Sequence, residues 1–385
     1  MRATAQKSRK RRITPTLFMF TRLLLASALL TAVMAPAAES SSAPFSVARN
    51  TAAQLQASPE RDQLTAEVAR VAIRLGKSAD AQGLADSLPP FLHASVLLEL
   101  ASALPVEQAD RAQLLVGIAQ RDKDLTLDWH KSRVSRLLAV TQAKLGRLES
   151  AAKTAREVPD AEDRAFALRD VVRELARRDE VALASELADA IEENRRYGTY
   201  RQKAGALSAI ALARHRRGDR AEAETLLIQA AALLPKKPGW SDGEALRDVA
   251  AAQLACGQID AGRELLARAE MLARGIAGAW RVSEMSAVAK VWPAGGERER
   301  ALSLIQESEK ALVSIPPTER APESLALARV QHTAGNTNAA RALIRAVLTD
   351  DAGGDDAEAK RARQVRALLV WAELFGDEAV AERKL

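Results

Sequence analysis

Aromatic side chains are scarce in this chain, at 3% of 385 residues, and there is a single cysteine, Cys256. With so few rings, a core must be filled by small and aliphatic side chains. One cysteine excludes an intramolecular disulfide even in an oxidising compartment. Cys256 sits just before Gly257 on an expected helix and reads as a small buried hydrophobe. Alternating β-branched runs are also missing, so nothing argues for a sheet. Histidine is sparse: His93, His130, His215 and His332 stand alone, without a second ligand at metal-binding spacing. A glycine-rich phosphate loop, a nucleophile elbow and a triad context are equally missing. The run Asp350-Asp351-Ala352-Gly353-Gly354-Asp355-Asp356 lacks the alternating ligands and distal Glu of a calcium loop. It reads as a solvated loop ending in a helix N-cap at Asp355 or Asp356. No metal, cofactor or catalytic residue is expected.

Hydrophobic residues make up 48% of the chain, dominated by strong helix formers. The N-terminus is set apart from the rest. Seven basic residues and no acid precede the apolar run Leu23–Val33, which is followed by Ala35-Pro36-Ala37. Basic stretch, short apolar run and small-x-small site make residues 1–37 a secretory signal peptide. The run is shorter than the ~20 apolar residues of a comfortable membrane span. Removing it leaves 49 basic against 50 acidic residues, a net charge of −1. The electrostatic footprint of a nucleic-acid binder disappears with the signal. Export places the mature protein in the periplasm or cell envelope, with no membrane span after cleavage.

Segment 38–58, rich in Ala, Ser and Thr, is expected to be a flexible leader, with a helical array over 59–385. The string Ala167-Leu168-Arg169-Asp170-Val171 returns 78 residues later as Ala245-Leu246-Arg247-Asp248-Val249. Helix-breaking turns fall at Gly76, Gly146, Asp179, Gly218, Gly257, Gly296, Gly335 and Gly376, most of them 39 residues apart. A period of this size marks stacked helix pairs. Seven residues before the turn stands a small residue: Ala69, Ala139, Ala211, Ala250, Ala289 or Ala328. Five after it comes Ala81, Ala151, Ala184, Ala223, Gly262, Ala301 or Ala340, and three residues later an aliphatic pair such as Leu265-Leu266 or Leu304-Ile305. Small residues let two helices approach closely, and the aliphatic pair fills the groove between units.

At Ala211, Gly218, Ala223, Ala230 and Pro235 the chain resembles the tetratricopeptide repeat (TPR) family. The likeness covers about residues 60–385. It departs from the family in its longer period, its aliphatic residues at the family's aromatic positions, and its mostly missing closing Pro. It implies an all-α, right-handed α-solenoid of about nine helix-turn-helix repeats that holds a protein or peptide partner on its concave face. In the family register, two concave positions lie ten and six residues before the turn. Of sixteen such residues, eight are basic and none is acidic: Arg70, Arg136, Arg169, Arg173, Arg247, Lys290, Arg329 and Arg366. Two readings follow. These side chains form an electropositive surface for an acidic peptide or another polyanion, or they pair with acids of adjacent units. Trp129, Trp240, Trp280, Trp292 and Trp371 fall near unit junctions and are expected to plug gaps. Tyr197 and Tyr200, beside Arg195, Arg196 and Arg201, form a second candidate contact cluster. A scaffold for another protein in the envelope is the primary reading. A self-associating assembly factor and an all-α enzyme with polar groups converging near His215, His332 or the tryptophans are its rivals.

Overall fold

The computed structural model describes residues 43–121, 125, 127–350 and 356–376, and among these all regular structure is helical. The signal segment 1–37 and the last nine residues lie outside the described residues. Eighteen α-helices follow one another: α1 (Pro44–Ala53), α2 (Pro59–Arg74), α3 (Ser78–Ala85), α4 (Pro90–Ala103), α5 (Ala109–Arg121), α6 (Asp128–Lys144), α7 (Leu148–Arg156), α8 (Ala161–Arg177), α9 (Val181–Asp189), α10 (Tyr200–Arg217), α11 (Arg220–Leu233), α12 (Gly243–Ala255), α13 (Ile259–Gly275), α14 (Ala279–Ala289), α15 (Arg298–Val313), α16 (Pro317–Thr333), α17 (Thr337–Thr349) and α18 (Ala357–Phe375).

Helix ends follow local chemistry. Ser58 accepts from the Arg61 amide at 3.1 Å and is followed by Pro59 at the first helical position; Asp160 accepts from the Asp163 amide at 2.8 Å. Asp356 caps α18 as the sequence suggests, accepting from the Glu358 amide. Seven of the hairpins turn through a left-handed residue, Gly in six and Asp179 in the seventh, whereas the α4–α5 hairpin turns through extended Leu104. The next amide then reaches back five residues, as in Lys77 to Ala72, Asp219 to Arg214 and Gln258 to Gln253, each bond 2.8–3.0 Å. This closure satisfies carbonyls that the helix end would leave open.

Each even-numbered helix from α2 to α16 pairs with the odd-numbered helix after it and packs on the next even one, except that α12 packs on the short turn Trp292–Gly295 and reaches α14 through the Arg247–Glu284 pair. The small residues seven before the turn are all buried, as are Ala81, Ala151, Ala184, Ala223, Ala301 and Ala340 after it. At Gly262, where the other units carry Ala, an added Cβ would lie 2.6 Å from the Leu254 side chain and 3.1 Å from the Ala250 carbonyl oxygen. Gly262→Ala is therefore expected to lower stability by about 1–3 kcal/mol through overpacking. Urea denaturation checks it, and an unchanged midpoint counts against this packing.

The ends of the array depart from the sequence reading. Residues 44–53 are a helix rather than a flexible leader. Phe45, Ala48, Ala52 and Leu55 recur at helical spacing and are all buried. That stripe is short and interrupted by polar residues, which hides it in the sequence. Helix α1 packs along α18 and also touches α2, so it occupies the outer position that the last unit would otherwise leave open. Helix α18 in turn packs on α2, so the succession of even-numbered helices closes on itself. One continuous apolar core joins residues from Phe45 to Val134 with residues from Ala321 to Ala372. Ion pairs span the seam: Arg366 to Glu67 at 2.9 Å, and Arg74 to Glu373. The protein is thus a closed array of paired helices, nine even and nine odd among the described residues.

Candidate functional site

The even-numbered helices form the inner layer. Side chains of α8 reach over α10 to α12, and such next-but-one contacts occur only where a curved array turns inward. Arg169 contacts Glu244 at 3.1 Å, and Arg173 pairs with Asp248, each 75 residues away. Helix α10 permits this because it carries Gly205 and Ser208 at the crossing. A Cβ at Gly205 would lie 3.3 Å from both arginine side chains.

Seven of the eight basic residues singled out from the sequence are tied to carboxylates, mostly of the neighbouring inner helix. Arg70 binds Glu99 at 2.9 Å and Arg136 binds Asp170 at 2.7 Å. Arg169 also binds Asp170, at 2.9 Å, with its own side chain only 8% exposed. Arg247 pairs with Glu284, Arg329 with Glu373 at 2.7 Å, and Arg366 with Glu67. Lys290 alone of the eight is exposed and has no ion-pair partner among the described residues. Of the two readings the second holds: the broadly electropositive surface is corrected to a belt of pairs between units. Two of the acids directly follow arginines of the doubled string: Asp170 after Arg169, and Asp248 after Arg247. One residue further along a helix turns about 100°, enough to face the next unit.

What survives of the basic surface is one cleft between α8, α10 and α12, of about 430 Å³. Gly205, Ser208, Ala209, Ala251 and Ala252 give it a floor of small residues, and Arg173, Arg177 and Arg216 stand around it with Asp248. Arg177 donates to both oxygens of Glu174, at 2.9 and 2.7 Å, and Arg216 donates to the Ala176 carbonyl at 2.7 Å, so each uses only part of its five N–H donors. Burial pushes the Asp248 carboxyl up, against the pull of Arg173. Three guanidinium groups against two carboxylates, Asp248 and the Glu174 bound to Arg177, leave the cleft net positive by one charge. Arg177 and Arg216 escaped the sequence reading because they fall outside the two register positions that were counted.

No protein-family model matches the chain, and no curated protein matches it in sequence. Its chemistry is therefore read from the site alone.

The other sequence candidates have structural surroundings. His130 stacks on Phe91 at 4.2 Å, and His332 meets the Phe375 ring edge-on at 5.2 Å. His93 lies 3.8 Å from Asp86. His215 and Cys256 line a second cavity of about 520 Å³. Burial pushes the Cys256 thiol up, which keeps it protonated and a poor nucleophile. Among the described residues, no group of three His, Cys, Asp or Glu side chains could hold a metal ion. Tyr200 is buried and donates to Asp242 at 2.5 Å, with Arg195 stacked 4.5 Å over its ring; Tyr197 is half exposed. The expectation for the tryptophans holds for two of five. Trp292 and Trp371 are buried, whereas Trp129, Trp240 and Trp280 stand in solvent.

Proposed function

We propose that this chain is an exported scaffold of the bacterial cell envelope. It acts as tetratricopeptide-like arrays do, holding an acidic segment of another protein in the cleft between α8, α10 and α12. The observation that carries this reading is the set of Arg173, Arg177 and Arg216 around a floor of small residues. Guanidinium forks match carboxylates in two-point geometry, and a floor without bulky side chains lets an extended backbone lie close. Beside Asp248, which is tied to Arg173, the charged groups that converge here are permanent cations, suited to holding anions, and the reading assigns no catalysis. The basic, apolar and small-residue succession over 1–37 supports export.

Charge reversal must avoid the buried belt. Breaking a desolvated pair such as Arg169 with Asp170 costs about 3–5 kcal/mol and would confound binding with unfolding. Neutralising both cations, Arg177→Gln with Arg216→Gln, instead alters two exposed groups and leaves Arg178, at 2.8 Å, to hold the buried Glu174 carboxylate, so each costs about 0–1 kcal/mol. With a photo-crosslinking residue at Leu212 in the cleft wall, the parent is expected to capture an acidic envelope protein, identified by mass spectrometry. The double variant should lose that adduct while melting at the parent temperature. An adduct equally strong in both proteins overturns the proposal.

A further inference from the structure

The hairpin connectivity sets all inner helices running the same way, so the connections that lead into them share one rim of the ring. Every exposed aromatic side chain among the described residues stands on that rim. Trp129 is the second residue of α6, Tyr197 precedes α10, Trp240 precedes α12, and Trp280 is the second residue of α14. Trp240 and Trp280 are 75% and 71% exposed, the most exposed aromatic groups among the described residues. Helix α10 packs on α12, and Arg247 of α12 pairs with Glu284 of α14, so Tyr197, Trp240 and Trp280 stand at the heads of three successive inner helices.

Basic side chains lie between these tips. Arg196 stacks on Tyr197 at 5.8 Å. Lys236 and Lys237 precede Trp240 in the same connection; they are exposed and have no ion-pair partner among the described residues. Of the nearby acids, Asp242 is buried beneath Tyr200 and Glu193 is engaged by Lys203 at 3.0 Å, while Asp189 and Glu192 remain exposed. The core of a protein–protein interface is a continuous apolar patch depleted in charge. Here single indole and phenol groups are exposed on separate connections, interleaved with cations. Trp and Tyr settle at the level of lipid headgroups, where an apolar body meets a polar tip, and lysines beside them add attraction to anionic lipid. We propose that the α10–α12–α14 sector of this rim docks on an anionic bilayer surface, with Trp240 and Trp280 entering the headgroup layer. This inference is independent of the cleft.

The test uses the full chain with vesicles of phosphatidylcholine, alone or with phosphatidylglycerol, and with a fraction of brominated acyl chains. None of the five tryptophans lies in residues 1–37, so bromine quenching of indole emission reads the rim even if the N-terminal apolar run also enters the bilayer. The parent should sediment with anionic vesicles about tenfold better than with neutral ones, and its emission should be quenched. Trp240→Ala with Trp280→Ala should abolish most of the quenching. Lys236→Glu with Lys237→Glu should remove the preference for anionic lipid. Both double variants change exposed residues, and unchanged circular dichroism and melting confirm that they fold. Absence of quenching in the parent, or equal quenching in all three proteins, overturns the proposal. So does binding of soluble poly-glutamate through the same four residues with vesicles ignored, which would assign the rim to an acidic protein.

Discussion

Phe45→Ala is expected to lower stability by about 3–5 kcal/mol, the usual cost of removing a fully buried phenylalanine. Phe45 is completely buried, with the Lys77 ammonium 5.1 Å from its ring centre, and it belongs to the core shared by the first and last units. Its loss bears on the joint between the first and last described helices, which no chain connection reinforces. Helix α1 meets α18 some three hundred residues away in sequence, so the chain cannot hold the two together by connectivity. Arrays of stacked units behave as sums of nearest-neighbour terms. The damage should therefore stay local: amide exchange should rise in α1, α18 and α2 while α10 and α12 keep their protection. Opening also uncovers the apolar side of α18, including Leu368, Leu369 and Trp371, which are buried in the closed array. Light scattering should then show concentration-dependent association in the variant. Unchanged exchange in α18 would mean that closure does not depend on α1.

Glu270→Ala should be comparably severe, again about 3–5 kcal/mol. The Glu270 carboxylate is 2% exposed on the outer helix α13. It accepts from Trp292 Nε1 at 2.7 Å and Arg300 Nε at 2.8 Å, and it pairs with Arg274. Arg300 lies 4.0 Å over the Trp292 ring. Each donor was placed by packing that the carboxylate completes; without it, the buried indole N–H has no acceptor and two cations, 39% and 41% exposed, lose a partner. Arg274 keeps Glu307 at 2.9 Å as a second partner, so the cost concentrates on Trp292 and Arg300. Glu270→Gln retains the shape and one acceptor oxygen but turns an amide N–H toward donors, and should cost less, about 1–3 kcal/mol. Denaturation midpoints rank the three proteins, and a red shift of tryptophan emission reports water reaching Trp292. An alanine variant within about 1 kcal/mol of the parent would show that the cluster is not a unit.

Much of the fold is legible in the sequence because its rules are local. A left-handed residue closes a helix, a small side chain lets two helices approach, and an aliphatic pair fills the next groove. Gly218, Ala211 and Leu265-Leu266 carry those signs at fixed spacing, and the structure uses them as such. The site was legible only in part. Counting arginines at two register positions found Arg173, which lines the cleft, but it also found Arg169 and Arg247, which are spent on Asp170, Glu244 and Glu284. Whether a cation is free depends on which residue the neighbouring helix brings opposite it, and a single-helix register does not contain that information. Gly205 illustrates the point: its missing side chain has meaning only because two arginines from α8 cross it.

Composition and spacing alone determine that this chain forms paired helices and that the pairs must stack, since no unit can bury its apolar face by itself. The meeting of the two ends was decided only in three dimensions. Closure is the sum of many small rotations between neighbouring units, none of which is written in any one segment. It is completed by Phe45, Ala48 and Ala52 lying against a helix that the chain reaches last.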